Sequence, residues 1–435
     1  MVGRNQDNFS KLPASQMLDE LIVEAINNRA SYIHIEPGDV DVLVRYRING
    51  SLVEIDRFSK NRFDSFLERV KVLANLEIRV RNIPQDGKFS VLNNDENYTL
   101  RVSIIPTIGG EKVSINLLNS SKKAPSLEEL GYWGHALDTI KSAIKKPSGL
   151  ILLVGPRDSG KSLSILSMLS SINDPERSIA TIEDPVDFII KGAHQTQVNN
   201  RTNLTFSSGL RALAKHDSDI IMVGEIRDSE TADLVFHYAS RGKLILSSVY
   251  SNHISTAIDK LNDAGVSPNR VAHSLNTISN QRLVSRLCKF CRESFVPDNA
   301  HLTLLNEMFS LHSSDNMKKI HNLESSYINE TSKDKTIVVK DFSSSETRIK
   351  KLWQAKRGGC DKCNYTGYFG RIGLYEVINV TPVIEKHITT LASPRLLAAK
   401  AFEQGSFSIF TDGLIKMLQG ETSIHELFRL YQDHF

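Results

Sequence analysis

The residues best suited to chemistry lie in one run of the chain, from Gly149 to Ser162. Five apolar residues at positions 150–154 lead directly into a Gly-x-x-x-x-Gly-Lys-Ser pattern. In such a loop backbone N–H groups surround phosphate oxygens, the lysine reaches the β- and γ-phosphates, and the serine hydroxyl ligates Mg²⁺. The pattern predicts a phosphate-binding loop. Its residues are Gly155, Pro156, Arg157, Asp158, Ser159, Gly160, Lys161 and Ser162, with Ser162 as the Mg²⁺ ligand.

The loop needs a strand before it and a helix after it. The apolar run at 150–154 is typical of a strand buried on both faces. Beyond the loop, four apolar residues recur at helical spacing: Leu163, Ile165, Leu166 and Leu169. The alternative interpretation of this pattern is an ordinary glycine turn without a ligand. The flanking strand and helix favour phosphate binding.

Further apolar runs end in acidic residues. Ile179–Ile182 is followed by Glu183, and Ile220–Val223 leads to Glu225, while Leu244–Leu246 predicts another strand of the same kind. Carboxylates just beyond the ends of parallel strands lie at the crevice where open α/β sheets bind ligands. Each could instead be a helix cap. Beside a phosphate loop, they favour a magnesium–nucleotide site.

All four cysteines occur as two C-x-x-C pairs, and this spacing predicts a tetrahedral Zn²⁺ site. The ligands are Cys288, Cys291, Cys360 and Cys363. His312 or His321 is the alternative fourth ligand. The 68 residues between the pairs are rich in Ser, Asn and Lys, and we expect them to form a surface elaboration of the zinc subdomain.

The N-terminal part of the chain predicts a small α+β domain. Two alternating segments, Ser31–Pro37 and Val40–Ile48, predict antiparallel strands. A helix from Ala14 is predicted by an apolar stripe made of Met17, Leu18, Leu21, Ile22, Ala25 and Ile26. His34 alternates with isoleucines, so we interpret it as a half-exposed strand residue.

Composition excludes several classes of protein. The chain has 435 residues, enough for two or three domains, with 40% hydrophobic residues, 24% charged residues and a net charge of +3. So small a positive excess gives no indication of nucleic-acid binding. No apolar run approaches the ~18 residues of a membrane span, and no signal peptide is evident. We therefore expect a cytoplasmic protein that meets the membrane only through partners.

At this point the chain resembles a known family. Ile33–Pro37, Pro84–Gly87, Glu183–Asp187, Met222–Asp228 and Gln281–Val284 look like signature segments of the assembly ATPases of type IV pili and type II secretion. The resemblance covers nearly the whole chain from about residue 15. It implies a PAS-like N-terminal domain, a RecA-like ATP-hydrolysing core and a homo-hexamer. It also implies an inner-membrane platform protein as partner, at which the ATPase drives filament assembly.

The same resemblance assigns roles to individual residues. Glu183 is the expected general base for the attacking water, and Glu225 is expected to orient the water of the metal. Arg101 and Arg211 are expected to stabilise charge on the transferred phosphoryl group. Lys88 and Lys215 stand where the family usually has arginines. They keep the charge but lose the forked geometry of the guanidinium.

Other positions depart from the family pattern. Asp158 replaces a usual glycine of the loop, and Lys243 and Tyr250 replace a pair of histidines near the γ-phosphate side. These departures leave two alternatives open. One is a slow ATPase, and the other is a nucleotide-binding scaffold or regulatory subunit. A DNA-translocating motor would share the loop but lacks the cysteine module and the Pro84–Gly87 segment.

The predicted organisation is an α/β protein divided into successive regions. They are a loose segment at 1–12, an α+β domain at 13–120, a linker and helix at 121–147, the RecA-like P-loop core at 148–286, an inserted four-cysteine zinc subdomain at 287–379 and a helical C-terminal region at 380–435. The family match begins close to the N-terminus, so we expect recruitment to the membrane machinery to use surfaces other than an added N-terminal region.

Overall fold

A computed structural model of the chain describes residues 12–48, 50–119, 124–186, 188–199, 202–309, 314–331, 349 and 351–434. The chain divides between residues 123 and 124 into two compact units. Most of the segment expected to be loose, as well as His312 and most of the region from 332 to 350, lies outside the described residues.

The first unit is a six-stranded antiparallel sheet with two helices. Its elements are α1 (Ala14–Asn27), β1 (Ala30–Pro37), β2 (Asp41–Ile48), β3 (Ser51–Ser59), α2 (Phe63–Leu73), β4 (Gln85–Asn93), β5 (Glu96–Thr107) and β6 (Gly110–Asn119). The strand order is β3-β2-β1-β6-β5-β4. The predicted α+β class of this unit agrees with these elements, while the PAS-like assignment stays a prediction.

One face of this sheet makes the core of the unit. Alternate strand residues such as Ile33, Ile35, Val102 and Ile115 are fully buried and pack with the apolar stripe of α1 and with α2. That stripe consists of the residues expected from the spacing, Met17, Leu18, Leu21, Ile22, Ala25 and Ile26. His34 lies on the opposite face, half-buried and stacked on Tyr32.

The second unit is built on a seven-stranded sheet. Its first elements are α3 (Leu127–Leu130), α4 (Gly134–Ala143), β7 (Gly149–Gly155), α5 (Lys161–Ser171), β8 (Ile179–Glu183), β9 (His194–Gln197), α6 (Phe206–Lys215), β10 (Ile220–Val223), α7 (Ser229–Ala239), β11 (Leu244–Tyr250), α8 (Ile254–Asp263) and α9 (Pro268–Ser274). The later elements are β12 (Leu275–Leu287), β13 (Glu293–Phe295), α10 (Asn299–Phe309), α11 (Ser314–Thr331), β14 (Leu352–Gln354), β15 (Tyr368–Asn379), α12 (Pro382–Thr389), α13 (Pro394–Glu403), α14 (Ile409–Leu418) and α15 (Ile424–His434).

The sheet has the order β15-β12-β7-β11-β10-β8-β9, and β15 alone runs antiparallel to its neighbour. Side chains of one strand alternate between two separate apolar clusters. Leu150, Leu152 and Val154 belong to one cluster, and Ile151 and Leu153 belong to the other. The sheet is therefore covered on both faces, which is why the run at 150–154 is continuously apolar.

Two expectations about the cysteine region need correction. β15, which the sequence division assigned to the zinc subdomain, pairs with β12 and completes the main sheet. The insertion is more than a surface elaboration, because Leu305 of α10 and Met317 and Tyr327 of α11 are buried in the clusters of this unit. Within the described residues, no helix is both long enough and apolar enough to cross a bilayer.

Candidate nucleotide and metal sites

The phosphate loop joins the buried strand β7 to the N-terminus of α5, as the sequence pattern predicts. Gly160 has φ of +88° and Asp158 has φ of +58°, so both adopt the left-handed backbone that brings N–H groups round a loop. A Cβ atom on Gly155 would lie 2.4 Å from Ser159 Oγ. Glycine at 155 is therefore required by close packing and glycine at 160 by conformation. Asp158 keeps the backbone of the glycine it replaces, because aspartate tolerates this region.

Lys161 is almost completely buried within the loop. Its ammonium group donates to the carbonyl oxygens of Gly155 at 2.9 Å and of Pro156 at 2.6 Å. Burial and the positive charge of Arg282 lower the pKa of Lys161 to about 8, against the opposing effect of Asp158. The carboxylate of Asp158 thus favours the charged form of the Lys161 ammonium. The same carboxylate also repels phosphate, because both carry negative charge.

The back of the loop is held by β12, a contact that residue spacing did not reveal. Gln281 Nε2 donates to the carbonyl oxygen of Ser159 at 2.7 Å. The next residue, Arg282, donates to the carbonyl oxygen of Asn252 at 2.7 Å. The only sequence signal was the presence of polar residues inside an otherwise apolar strand. Gln281 thus fixes the loop, and Arg282 connects β12 to the segment that follows β11.

The two predicted carboxylates come to one edge of the sheet. β8 and β10 are parallel neighbours, so Glu183 and Glu225 lie at adjacent strand ends, and both are buried. Glu183 accepts hydrogen bonds from Thr181 Oγ1 at 2.6 Å and Gln195 Nε2 at 3.0 Å. Glu225 forms an ion pair with Arg227. Both carboxylates thus have fixed positions at the edge of the sheet where β7 ends and the loop begins.

β11 lies between the loop strand and β10, so Glu225 follows a strand roughly 10 Å from β7. Ser248 of β11 donates from its hydroxyl to the carbonyl oxygen of Gly224 at 2.8 Å. The N–H of Ile226 in turn donates to the carbonyl oxygen of Ser248 at 2.9 Å. Ser248 therefore orients the segment that carries Glu225, and its position was not predicted from the sequence.

The expectation that Lys243 and Tyr250 lie together does not hold, because they lie at opposite edges of the sheet. Tyr250 ends β11 in register with Gly155, and its ring centroid lies 4.2 Å from Lys161 Nζ. Lys243 precedes the first residue of β11, next to Gly149 at the start of β7. It therefore lies at the edge of the sheet opposite to the loop. Lys243 and Tyr250 stand at the two ends of β11, and the two ends of a strand lie at opposite edges of its sheet.

The remaining predicted residues lie on elements other than the loop and the two acidic strand ends. Arg211 is on α6, half-exposed, and pairs with Glu230 of α7 at 2.9 Å. Lys215 ends the same helix and is exposed. Arg101 is on β5 of the first unit, where it is the cross-strand neighbour of Lys88, and both lie on the face opposite to the buried core.

The four cysteines converge at one point. Their Sγ atoms all lie within 4.8 Å of one another, with Cys288–Cys360 and Cys291–Cys363 each at 3.8 Å and Cys360–Cys363 at 3.7 Å. A tetrahedron with Zn–S bonds of ~2.3 Å has S···S edges of roughly 3.8 Å. Disulfide sulfurs would be ~2.05 Å apart. The donor set and spacing therefore fit a tetrahedral zinc ion.

The electrostatics of Cys363 also suit a metal ligand. Burial raises the pKa of its thiol, but the backbone N–H groups of Cys360 and Gly367 and the thiols of Cys360 and Cys291 together outweigh burial and bring the pKa down to about 7. Hydrogen bonds of this kind stabilise a thiolate, which is the form that binds zinc. His321, the described alternative ligand, lies on α11 and is not a member of this cluster of sulfurs.

Comparison with known proteins agrees with this architecture. A sequence profile for the family described as "Type II/IV secretion system protein" matches residues 7–429. The type II secretion system ATPase E of Vibrio cholerae is 34% identical over 421 residues, which cover 97% of this chain and 76% of that protein. The type IV pilus assembly ATPase PilB of Thermus thermophilus is also 34% identical, over 95% of this chain but only 42% of its own length.

Solved structures show the same fold at low identity. The ATPase DotB of Legionella pneumophila superposes with a TM-score of 0.64 at 16% identity, over 96% of each chain. The pilus retraction motor PilT, solved with bound ADP, gives a TM-score of 0.61 at 20% identity, over 94% of this chain and 96% of that one.

Proposed function

The chain belongs to the type II/IV secretion system proteins and is an ATPase of that family, and from this premise we propose that it drives filament assembly at the inner membrane. The filament is a type IV pilus or a type II secretion pseudopilus. In this proposal the protein works in the cytoplasm as a homo-hexamer, and contact with a membrane platform protein brings it to the membrane. Nucleic acid has no direct part.

One observation supports the proposal most strongly. A loop with a buried lysine lies along the same edge of one parallel sheet as two buried carboxylates, Glu183, which has hydrogen-bond partners, and Glu225, which is paired with Arg227. Phosphoryl transfer needs little covalent chemistry from a protein, but it needs charges that are positioned in advance. This edge supplies a cation for phosphate and carboxylates for a metal and a water.

The proposed roles follow from these positions. Lys161 would leave its carbonyl partners to contact the phosphates of ATP, and Ser162 would hold Mg²⁺, which would supply positive charge against the phosphates. Glu183 accepts the proton of the attacking water, and its partners Thr181 and Gln195 hold the carboxylate in one orientation. Glu225 orients a water of the metal.

Arginines are proposed to complete the site. Arg101 of the first unit would stabilise charge on the transferred phosphoryl group, with Lys88 beside it on the neighbouring strand. Arg211 would do so only after leaving Glu230, its ion-pair partner on α7.

We further propose that the four cysteines bind a structural Zn²⁺. A site closed by four thiolates leaves no coordination position for a substrate, so the metal would stabilise the fold and take no part in catalysis. It would join the end of β12 to the start of β15, across the base of the insertion.

A scaffold or regulatory subunit with little turnover is the second candidate. Asp158 in the loop and Tyr250 over Lys161 favour it, because a carboxylate repels phosphate and tyrosine cannot titrate near neutral pH as histidine does. Lys243 no longer supports this alternative, since it lies at the other edge of the sheet.

A phosphate-release assay on the full-length protein distinguishes the two candidates. We expect K161A to abolish both nucleotide binding and turnover. E183Q should retain binding and lose turnover by ~10²–10⁴-fold, the contribution of a general base. The matched control is E176Q, an exposed glutamate of the loop before β8, which should behave like the unmodified protein. Equal phosphate release from all four proteins would favour the scaffold.

A further inference from the structure

The ring of Tyr250 lies near both cations of the phosphate loop, Arg157 and Lys161. Its centroid is 4.2 Å from Lys161 Nζ and 5.9 Å from the guanidinium carbon of Arg157. Both distances are within the range of a cation–π interaction, and the shorter one is a close contact. The side chain of Tyr250 therefore covers the loop on the side of its lysine.

The ammonium of Lys161 has its contacts satisfied without any anion. Two of its N–H groups donate to the carbonyl oxygens of Gly155 and Pro156, and Ser159 Oγ lies 3.5 Å away. The ring of Tyr250 covers a remaining side, and Lys161 is only 6% exposed. A phosphate that enters the loop thus replaces existing contacts of the ammonium and does not meet a free cation.

The position of the ring is determined by the sheet. Tyr250 pairs with Gly155 at the last register position between β11 and β7. Its carbonyl oxygen accepts a hydrogen bond from Lys260 Nζ of α8 at 2.7 Å. Both contacts fix the backbone from which the ring projects, so the contact with Lys161 follows from the fold.

We infer that Tyr250 is a positioning residue that holds Lys161 in a withdrawn conformation, so that a nucleotide must displace the ammonium from the ring before Lys161 contacts its phosphates. The inference rests on the proposed nucleotide binding at this loop. Its consequence is a weaker affinity for both ADP and ATP than the loop alone would give. The ring causes this effect, and the hydroxyl is not needed for it.

The test compares Y250A and Y250F in the full-length, zinc-loaded protein. Calorimetric titration with Mg·ADP isolates the effect on Lys161, because ADP has no γ-phosphate for the tyrosine hydroxyl to contact. We expect Y250A to bind Mg·ADP roughly three- to tenfold more tightly, the range that a cation–π contact supports. Y250F keeps the ring and should bind like the unmodified protein. In steady-state assays Y250A should lower KM for ATP.

Two outcomes would overturn the inference. One is ADP binding by Y250A that is no tighter than that of the unmodified protein, and the other is Y250F binding that matches Y250A. Tyr250 is 40% exposed, so both variants are expected to fold, and thermal unfolding without nucleotide checks this. If the unmodified protein and K161A bind no ADP at all, the proposed function fails, a result distinct from a failure of Tyr250 to matter.

Discussion

At the phosphate loop, the charge state of Lys161 depends on its surroundings. Burial removes water from the ammonium, Arg282 repels it and Asp158 attracts it, and the balance lowers its pKa from 10.5 to about 8. An ordinary lysine would keep its full charge throughout the physiological range. Here the group that binds phosphate begins to lose its proton only slightly above neutral pH.

We therefore predict that the affinity for Mg·ADP falls as pH rises from 7 to 9. Phosphate binds the protonated lysine, and the protonated fraction in the free protein is about a tenth at one unit above the pKa. The dissociation constant at pH 9 should be about tenfold higher than at pH 7, measured with a fluorescent ADP analogue. K161R, whose guanidinium does not titrate in this range, is the control. An equal affinity at both pH values would contradict the prediction.

Among the elements, β12 and β15 flank the insertion, and they are connected near the four cysteines. Cys288 follows β12, and its N–H donates to the carbonyl oxygen of Gly367, just before β15. The insertion between the cysteine pairs packs back on the unit through α11, where Tyr327 meets Trp133 edge-on at 5.0 Å. Glu330 accepts a hydrogen bond from the N–H of Gly134, the first residue of α4.

C360S should bind no stoichiometric zinc and should unfold at a temperature several degrees lower. Loss of one thiolate opens the tetrahedral site, and metal binding contributes to folding free energy in sites of this kind. Metal analysis by mass spectrometry and thermal unfolding measure the two effects. S294A changes an exposed residue of β13 in the same region and should leave both unchanged. Full zinc occupancy in C360S would refute the assignment.

A second connection between elements is a fully buried ion pair. Asp412 and Lys416 of α14 are 2.7 Å apart and both are 0% exposed. Trp133 Nε1 donates to Asp412, and Lys416 donates to the carbonyl oxygens of Gly131 and Gly373. This network joins α14 to β15 and to the segment that precedes α4.

K416M should lower the free energy of unfolding by about 3–5 kcal/mol, because it leaves the carboxylate of Asp412 buried without its cation. The double variant D412L/K416M should recover part of that loss. Denaturant titration followed by the fluorescence of Trp133 measures both. K400M, which removes the exposed pair of Lys400 with Glu403, should cost at most ~1 kcal/mol. A loss below 1 kcal/mol in K416M would show that the network contributes little.

At the scale of the whole molecule, the proposed roles fall on residues of both compact units. The loop and the carboxylates belong to the second unit, and Arg101 belongs to the first, on the polar face of its sheet.

R101A should therefore reduce turnover by ~10²–10³-fold while the affinity for Mg·ADP changes little, since the donor acts on charge that develops during phosphoryl transfer. Phosphate release and ADP titration separate the two quantities. R57A removes another arginine of the first unit, one paired with Glu54 and exposed, and should have no effect on either. Unchanged turnover in R101A would remove Arg101 from the site.

The sequence by itself determined the features that depend on residues near one another in the chain. The glycine and lysine spacing identified the loop between β7 and α5, the apolar runs identified the central strands, and the cysteine pairs identified the four residues whose sulfurs converge. The stripe of α1 was predicted residue by residue. These features were readable because backbone periodicity and loop chemistry are local properties.

Only the tertiary structure decided which distant residues meet. The strand order put the end of β11, with Tyr250, beside the loop that carries Lys161. It also brought β15 into the main sheet and buried Tyr327 of the insertion against Trp133. The spacing of apolar residues shows which segments form strands, but it does not show which strands are neighbours. The pairing of strands depends on side-chain packing over the whole sheet.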